Sequence, residues 1–136
     1  MFIKRIAHVC IGSTDLAATE KFYTKGLGFT KHFDFIRNGK VIGFYLLVGD
    51  NTYVEVFTND AMVDEPKAPI KHFCLEVDDI EAVRKQLIGA GYEVTEKKLG
   101  ADQSWQAWTS DPCGVRMEFH QYTEQSSQKL RTPCVL

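Results

Sequence analysis

The sequence predicts an α+β fold of two tandem βαβββ modules, their strands forming a curved mixed sheet with the helices on its outer face. Three observations lead there. The stretch "AHVCIGSTDLAATEKFY" returns as "KHFCLEVDDIEAVRKQL", an offset of 64 residues (72 − 8) that superimposes Ile6 on Ile70, His8 on His72, Cys10 on Cys74, Asp15 on Asp79, Ala18 on Ala82 and Lys21 on Lys85. Each copy opens on a short apolar stretch, "RIAHVCI" or "IKHFCLEV", whose residues alternate between two faces as in a strand. Each then turns at an aspartate into helical spacing, and alternating stretches broken by Gly and Asn follow.

In chain order, the first strand leads to Asp15, a candidate N-cap whose carboxylate would accept from unpaired amides. Leu16, Phe22 and Tyr23 mark the apolar side of the first helix, and the glycines of "KGLGF" stop it. "TKHFDFIRNGKVIGFYLLVGDNTYVEVF" reads as three strands joined by a tight Asn38–Gly39 turn and a "GDN" turn. The first module spans 3–58, and the polar, proline-bearing stretch 59–69 is a linker.

The second module spans 70–122. Asp79 caps its helix, Glu81 adds negative charge to the first turn, and Ile80, Val83, Leu87 and Ile88 form its apolar stripe. "YEVTEKKLGADQSWQAWTSDPCGVRMEFHQY" reads as three more strands, the last turn being "SDPCG". Trp105 and Trp108, three apart in a strand, face opposite sides, one packing under a helix and the other walling a cleft. The tail 123–136 shows no clear periodicity.

A chain of 136 residues fits a single domain, 1–136, whose two modules share a core. With 44% hydrophobic residues, 25% charged residues and a net charge of −2, it has the composition of a globular protein and no basic footprint for nucleic acid. No apolar run approaches the roughly 20 residues that span a bilayer, and "MFIKRIAHV" passes too soon into a strand to be a signal peptide. A cytoplasmic protein with no membrane partner is expected. Its four cysteines, Cys10, Cys74, Cys113 and Cys134, lack CxxC spacing and read as reduced thiols. Cys10 and Cys74 are expected to be small buried fillers.

The duplication also matches the far ends of the modules. Glu55 follows His8 by 47 residues (55 − 8) and Glu118 follows His72 by 46 (118 − 72), each glutamate in its module's last strand. Taken singly, a strand histidine is more often a core residue and a strand glutamate a solvated one. Taken as a matched set, His8, Glu55, His72 and Glu118 offer imidazole nitrogens and carboxylate oxygens suited to a borderline divalent ion: Ni, Zn, Co, Mn or Fe. The simplest geometry points all four into one metal cleft. Alternation places Tyr53 and Phe57 beside Glu55, and Arg116 and His120 beside Glu118, as candidates for the substrate cleft, with Arg116 and His120 able to hold an anionic group.

The segments "IAHVCIGSTDLAATEKFYTKGLGF", "IKHFCLEVDDIEA" and "DPCGVRMEF" carry a resemblance to the vicinal oxygen chelate superfamily, which includes glyoxalase I, extradiol dioxygenases, methylmalonyl-CoA epimerase and the fosfomycin and bleomycin resistance proteins. It covers residues 3 to about 122 and includes the DPxGxxxE spacing from Asp111 to Glu118, with Cys113 where an acidic residue is common. At the ligand positions His8, Glu55, His72 and Glu118 match the bacterial glyoxalase I set residue by residue. The resemblance implies a metal-dependent lyase or isomerase of the glyoxalase type, chelating adjacent oxygens of a small substrate and moving a proton through an enediolate-type intermediate. Glu118 is then the base, with Glu55 as the opposite-face candidate. Gly12 stands where bacterial glyoxalase I has an arginine that helps hold glutathione, so the substrate need not be a glutathione adduct. Two alternatives remain: an Fe(II) extradiol-type dioxygenase using His8, His72 and Glu118, and a non-catalytic drug-binding resistance protein. A homodimer is expected, since open curved sheets leave edges to cover.

Overall fold

The computed structural model describes residues 6, 8–58, 70 and 72–135. The linker 59–69 and residues 3–5 of the first module lie outside the described residues. The chain divides into two compact units, Met1–Pro66 and Lys67–Leu136, and both carry the expected βαβββ order. In the first unit, β1 (His8–Ser13), α1 (Leu16–Lys21), β2 (Thr30–Arg37), β3 (Lys40–Gly49) and β4 (Thr52–Thr58) form a sheet ordered β1-β4-β3-β2. In the second, β5 (Phe73–Glu76), α2 (Ile80–Gly89), β6 (Lys98–Leu99), β7 (Trp105–Ser110) and β8 (Arg116–Gln121) form a sheet ordered β5-β8-β7-β6. The helix of each unit carries the chain across, so that first and last strands pair in parallel, β1 with β4 and β5 with β8. The α+β class holds, and the mixed sheet is realised as two four-stranded sheets, each closed within its own repeat.

Local chemistry sets the element ends. Asp15 Oδ1 accepts from the Ala18 amide at 3.0 Å, and Asp79 Oδ1 accepts from Glu81 and Ala82 at 2.9 and 3.2 Å, so both aspartates cap as their positions predict. Beyond Lys21 the first helix widens into a π-helical turn, Phe22–Gly26. That turn brings two adjacent aromatics, Phe22 and Tyr23, to full burial in a core with the β-strand residues Ile11, Phe44, Leu46, Val54 and Val56. Asn38 and Gly39 take positive φ of 50° and 73°, and Asp50 and Asn51 of 46° and 59°. These are the conformations of two-residue hairpin turns whose twist suits the flanking strands.

The second unit departs from expectation at two places. Ile88, read as part of the apolar stripe, is 55% exposed, while Ile80 and Leu87 are fully buried in a core with Ala107, Met117 and Phe119. The first strand after α2 shrinks to the two residues of β6. Upstream, one backbone bond remains, from the Thr95 amide to the Trp108 carbonyl at 2.8 Å, and side chains supply the rest: Thr95 Oγ1 accepts from the Trp108 amide at 2.8 Å, and Thr109 Oγ1 donates to the Glu93 carbonyl at 2.6 Å. Part of the tail also takes up regular structure. It forms a one-turn helix, α3 (Ser127–Leu130), and closes a polar cluster in which Gln128 Nε2 donates to Asp102 Oδ2 at 2.7 Å and Ser104 Oγ donates to Ser126 Oγ at 3.0 Å. No helix among the described residues is long and apolar enough to cross a membrane.

Candidate metal centre

Strand register explains why His-x-Cys is written twice. In β1 and β4, Cys10 lies abreast of Glu55 and His8 abreast of Tyr53; in β5 and β8, Cys74 lies abreast of Glu118. Each histidine therefore sits two residues before the cysteine level with its glutamate, and period-two alternation puts all three on one face. The opposite face of each sheet carries the buried core and the helix.

In the first unit this face is aromatic. Tyr45 lies abreast of Glu55 on β3 and its hydroxyl is 3.2 Å from His8 Nδ1. Phe33 and Tyr53 each stack on the Tyr45 ring at 4.8 Å, and Phe35 stacks on Phe57 at 4.5 Å. Tyr53 and Phe57 thus flank Glu55 as expected. Phe33, Phe35 and Tyr45 were not singled out from the sequence, although alternation across the Asn38–Gly39 hairpin puts them on this face. Desolvation, then Glu55 as hydrogen-bond partner, pushes the Cys10 thiol above its ordinary value. Desolvation, then the Glu55 charge, does the same to Tyr45.

In the second unit Glu118 is 7% exposed and its two oxygens face different imidazoles. Oε2 is 3.3 Å from His72 Nε2, and Oε1 is 2.9 Å from His120 Nε2. The second contact lacks hydrogen-bond alignment, and His120 Nε2 is otherwise a buried atom without a partner. Among the described residues the ion-pair partners of Glu118 are these two imidazoles, with no Lys or Arg. On the other side of His120, Asp102 Oδ2 is 4.0 Å from Nδ1. Burial raises Asp102, but hydrogen bonds from Gln128 and Ser104 and the charge of His120 outweigh it and hold the carboxyl below its ordinary value.

The two candidate anion-binding side chains sit differently. His120 is 9% exposed and turned onto Glu118 and Asp102, and the Arg116 guanidinium lies 4.8 Å from the Trp108 ring centroid. His120 is thus enclosed, whereas Arg116 is exposed and borders open space beside Trp108. Trp108 also meets the His72 ring edge-on at 4.7 Å, so it is the tryptophan on the Glu118 face, while Trp105 lies under the Lys97 amine at 4.7 Å. A recess of about 920 Å³ is bordered by Ile88, Tyr92, Trp108, Pro112 and Arg116, and its lining does not include Glu118.

Cys10 and Cys74 are exposed free thiols rather than buried fillers. Although solvent reaches it, Cys74 lies low against the sheet, and desolvation followed by the Glu118 charge pushes its thiol up to about 12. Relative to a thiol at 9.0, its thiolate fraction near neutrality is down by roughly a thousandfold, partly offset by the higher intrinsic nucleophilicity of a more basic thiolate. The metal-free protein should therefore alkylate Cys74 about thirtyfold more slowly than an ordinary free thiol at pH 8, as timed peptide mapping with iodoacetamide would measure. Labelling of Cys74 at the ordinary rate would contradict this.

The sequence model of the Glyoxalase/Bleomycin resistance protein/Dioxygenase superfamily matches residues 5–119. The Escherichia coli (strain K12) protein YaeR, described as uncharacterized, is 27% identical over 127 residues, covering 88% of this chain and 97% of YaeR. The crystal structure of a glyoxalase family protein from Enterococcus faecalis superimposes with a TM-score of 0.76 at 29% identity, covering 89% of this chain and all of that one. That of a lactoylglutathione lyase from Agrobacterium tumefaciens, at 18% identity, shares the fold with a TM-score of 0.68, covering 89% of this chain and 96% of its own.

Proposed function

Because the chain belongs to the Glyoxalase/Bleomycin resistance protein/Dioxygenase superfamily, we propose that it is a metal-dependent lyase or isomerase of the glyoxalase type. Its ligand set is His8 and Glu55 from the first unit with His72 and Glu118 from the second. The reading is carried by the repeated register: in both units the histidine stands two residues before the cysteine level with the glutamate, on adjacent parallel strands. The donors fit a divalent ion. A carboxylate as buried as Glu118, facing imidazoles and no cationic side chain among the described residues, is a setting that an added positive charge stabilises. When bound, the ion supplies Lewis-acid stabilisation of negative charge developing on substrate oxygens.

The chain's own residues supply the rest. Glu118, held by His72, accepts a proton from the carbon beside a carbonyl, and Glu55 is the candidate for returning one. Phe33, Tyr45 and Tyr53 form a stacked aromatic wall beside Glu55 against which a small substrate packs. The active protein is a homodimer in the cytoplasm, and its substrate is a small oxygenated molecule that need not carry glutathione.

The test is elemental analysis of protein purified without chelators, followed by activity screening with Ni, Co, Mn, Fe or Zn added back. One divalent ion per chain is expected at this site, with affinity for it lowered by His8→Ala and by His72→Ala alike. A chain that neither carries nor takes up a divalent ion overturns the reading. The same stacked aromatics favour one second reading, a binding protein for flat aromatic molecules. Metal-independent quenching of tyrosine fluorescence by such a ligand, lost in Tyr45→Ala, would support it.

A further inference from the structure

We propose that the second unit carries a thiolate-containing cation site of its own, formed by Cys74, Glu118 and His120, that takes a thiophilic divalent ion such as zinc or cobalt. It shares Glu118 with the proposed function and otherwise stands on separate residues. One ligand atom from each of the three side chains lies within 4.8 Å of the others. Donors around a single zinc at about 2.0–2.3 Å stand roughly 3.3–3.8 Å apart, so closing the set asks each side chain to move by less than about an ångström.

Backbone register builds this cluster. Cys74 on β5 is level with Glu118 on β8, and His120 follows Glu118 on the same face by one alternation. The independent sign of a ligand is His120. It is 9% exposed, and its Nε2 is a buried nitrogen with no hydrogen-bond partner, turned toward the carboxylate. Such an atom costs stability unless something fills its place. A cation between Nε2 and Oε1 would satisfy both.

The far side of the ring is prepared as well. Metal-bound histidines commonly present their other nitrogen to a carboxylate, which fixes ring orientation and raises basicity. Asp102 lies 4.0 Å from His120 Nδ1. It is itself held by Gln128 at 2.7 Å, by the Ser104 amide at 3.1 Å and by Gln106 at 3.3 Å. The C-terminal turn that supplies Gln128 thereby supports the site. Binding displaces the Cys74 proton to solvent and leaves a sulfur–metal bond.

Glu118 then becomes a pivot. Through Oε2 it belongs with His72 and the nitrogen–oxygen set, and through Oε1 with His120 and the sulfur donor. Harder ions favour the first set and softer ions the second.

Cobalt(II) titration of the metal-free full-length chain under anaerobic conditions tests this by absorption. A near-ultraviolet thiolate-to-cobalt charge-transfer band is expected. It should disappear in Cys74→Ser, persist in His8→Ala, and need about tenfold more cobalt in Asp102→Asn. Zinc should also protect Cys74 from alkylation in the wild type and not in His120→Asn, a readout that needs no Cys74 variant. Cobalt bound without a thiolate band, or a band that survives Cys74→Ser, overturns the site while leaving the four-ligand reading intact. A band kept in His8→Ala, with a wild-type chain that shows no glyoxalase-type turnover under any metal, overturns the four-ligand reading and leaves this one standing.

Discussion

Glu118→Gln should lower turnover by about 10²–10⁴-fold, the range that a positioned general base contributes, while the protein still melts within a few degrees of wild type. The two halves of that expectation have separate physical grounds. Gln keeps the volume of Glu, so packing on β8 between Cys74 and Trp108 is preserved. The charge removed is one the fold must desolvate, since Glu118 is 7% exposed, and losing a buried carboxylate that has no guanidinium or ammonium partner among the described residues relieves part of that cost. Chemistry has no such relief, because the neutral amide can neither accept the substrate proton nor bind a cation as strongly. Measuring metal content beside turnover separates the roles. Loss of turnover with metal retained assigns Glu118 as base, and joint loss assigns it chiefly as ligand. Wild-type turnover in a metal-loaded Glu118→Gln protein would remove Glu118 from the mechanism.

The duplication was readable because both copies keep the same marks at the same spacing. His8 and His72, Asp15 and Asp79, Glu55 and Glu118 each report a fixed place in a βαβββ unit, and strand pairing then fixes which neighbours they meet. What surrounds Glu118 was not readable. Asp102 sits in the β6–β7 turn and Gln128 in the C-terminal turn, segments where backbone and side chains hydrogen-bond locally and hydrophobic periodicity is absent. The nitrogen–oxygen set announced itself by symmetry, whereas Cys74–Glu118–His120 breaks it: the counterpart of His120, two residues beyond the glutamate of the first unit, is Phe57, which stacks on Phe35. The shortened β6 has a local origin. The stretch "YEVTEKKL" alternates as a strand would, yet the Thr95 hydroxyl takes the Trp108 amide that a backbone ladder would have used. Ile88 illustrates the limit of a stripe. It follows Leu87 by one residue, a rotation of about 100° around the helix, which carries it from the buried arc into solvent.

Gly43→Ala should destabilise the first unit by about 3 kcal/mol, the upper end of the usual range for overpacking, and lower its melting temperature by roughly 10 °C or more. Gly43 lies on β3 with Phe35 opposite on one side and Phe57 on the other, and the two rings stack across it at 4.5 Å. A Cβ built there would meet the Val56 carbonyl oxygen and lie 2.9 Å from Phe57 Cδ1. The first neighbour is backbone in the adjacent central strand, so no rotamer change relieves the clash, and β3 must shift against β4. The glycine is thus what allows an aromatic pair to close over the middle of the sheet, next to the Tyr45–Tyr53 stack and Glu55. The functional consequence follows from register: displacing β4 moves Glu55 relative to Cys10 and His8 on β1. Metal affinity should fall along with stability in Gly43→Ala, while Phe35→Ala, which removes one ring without moving β4, should lower stability and leave metal affinity near wild type. Paired thermal melts and metal titrations of the two variants would check this, and equal affinity losses in both would show that the aromatic pair, rather than the strand spacing protected by Gly43, holds Glu55 in place.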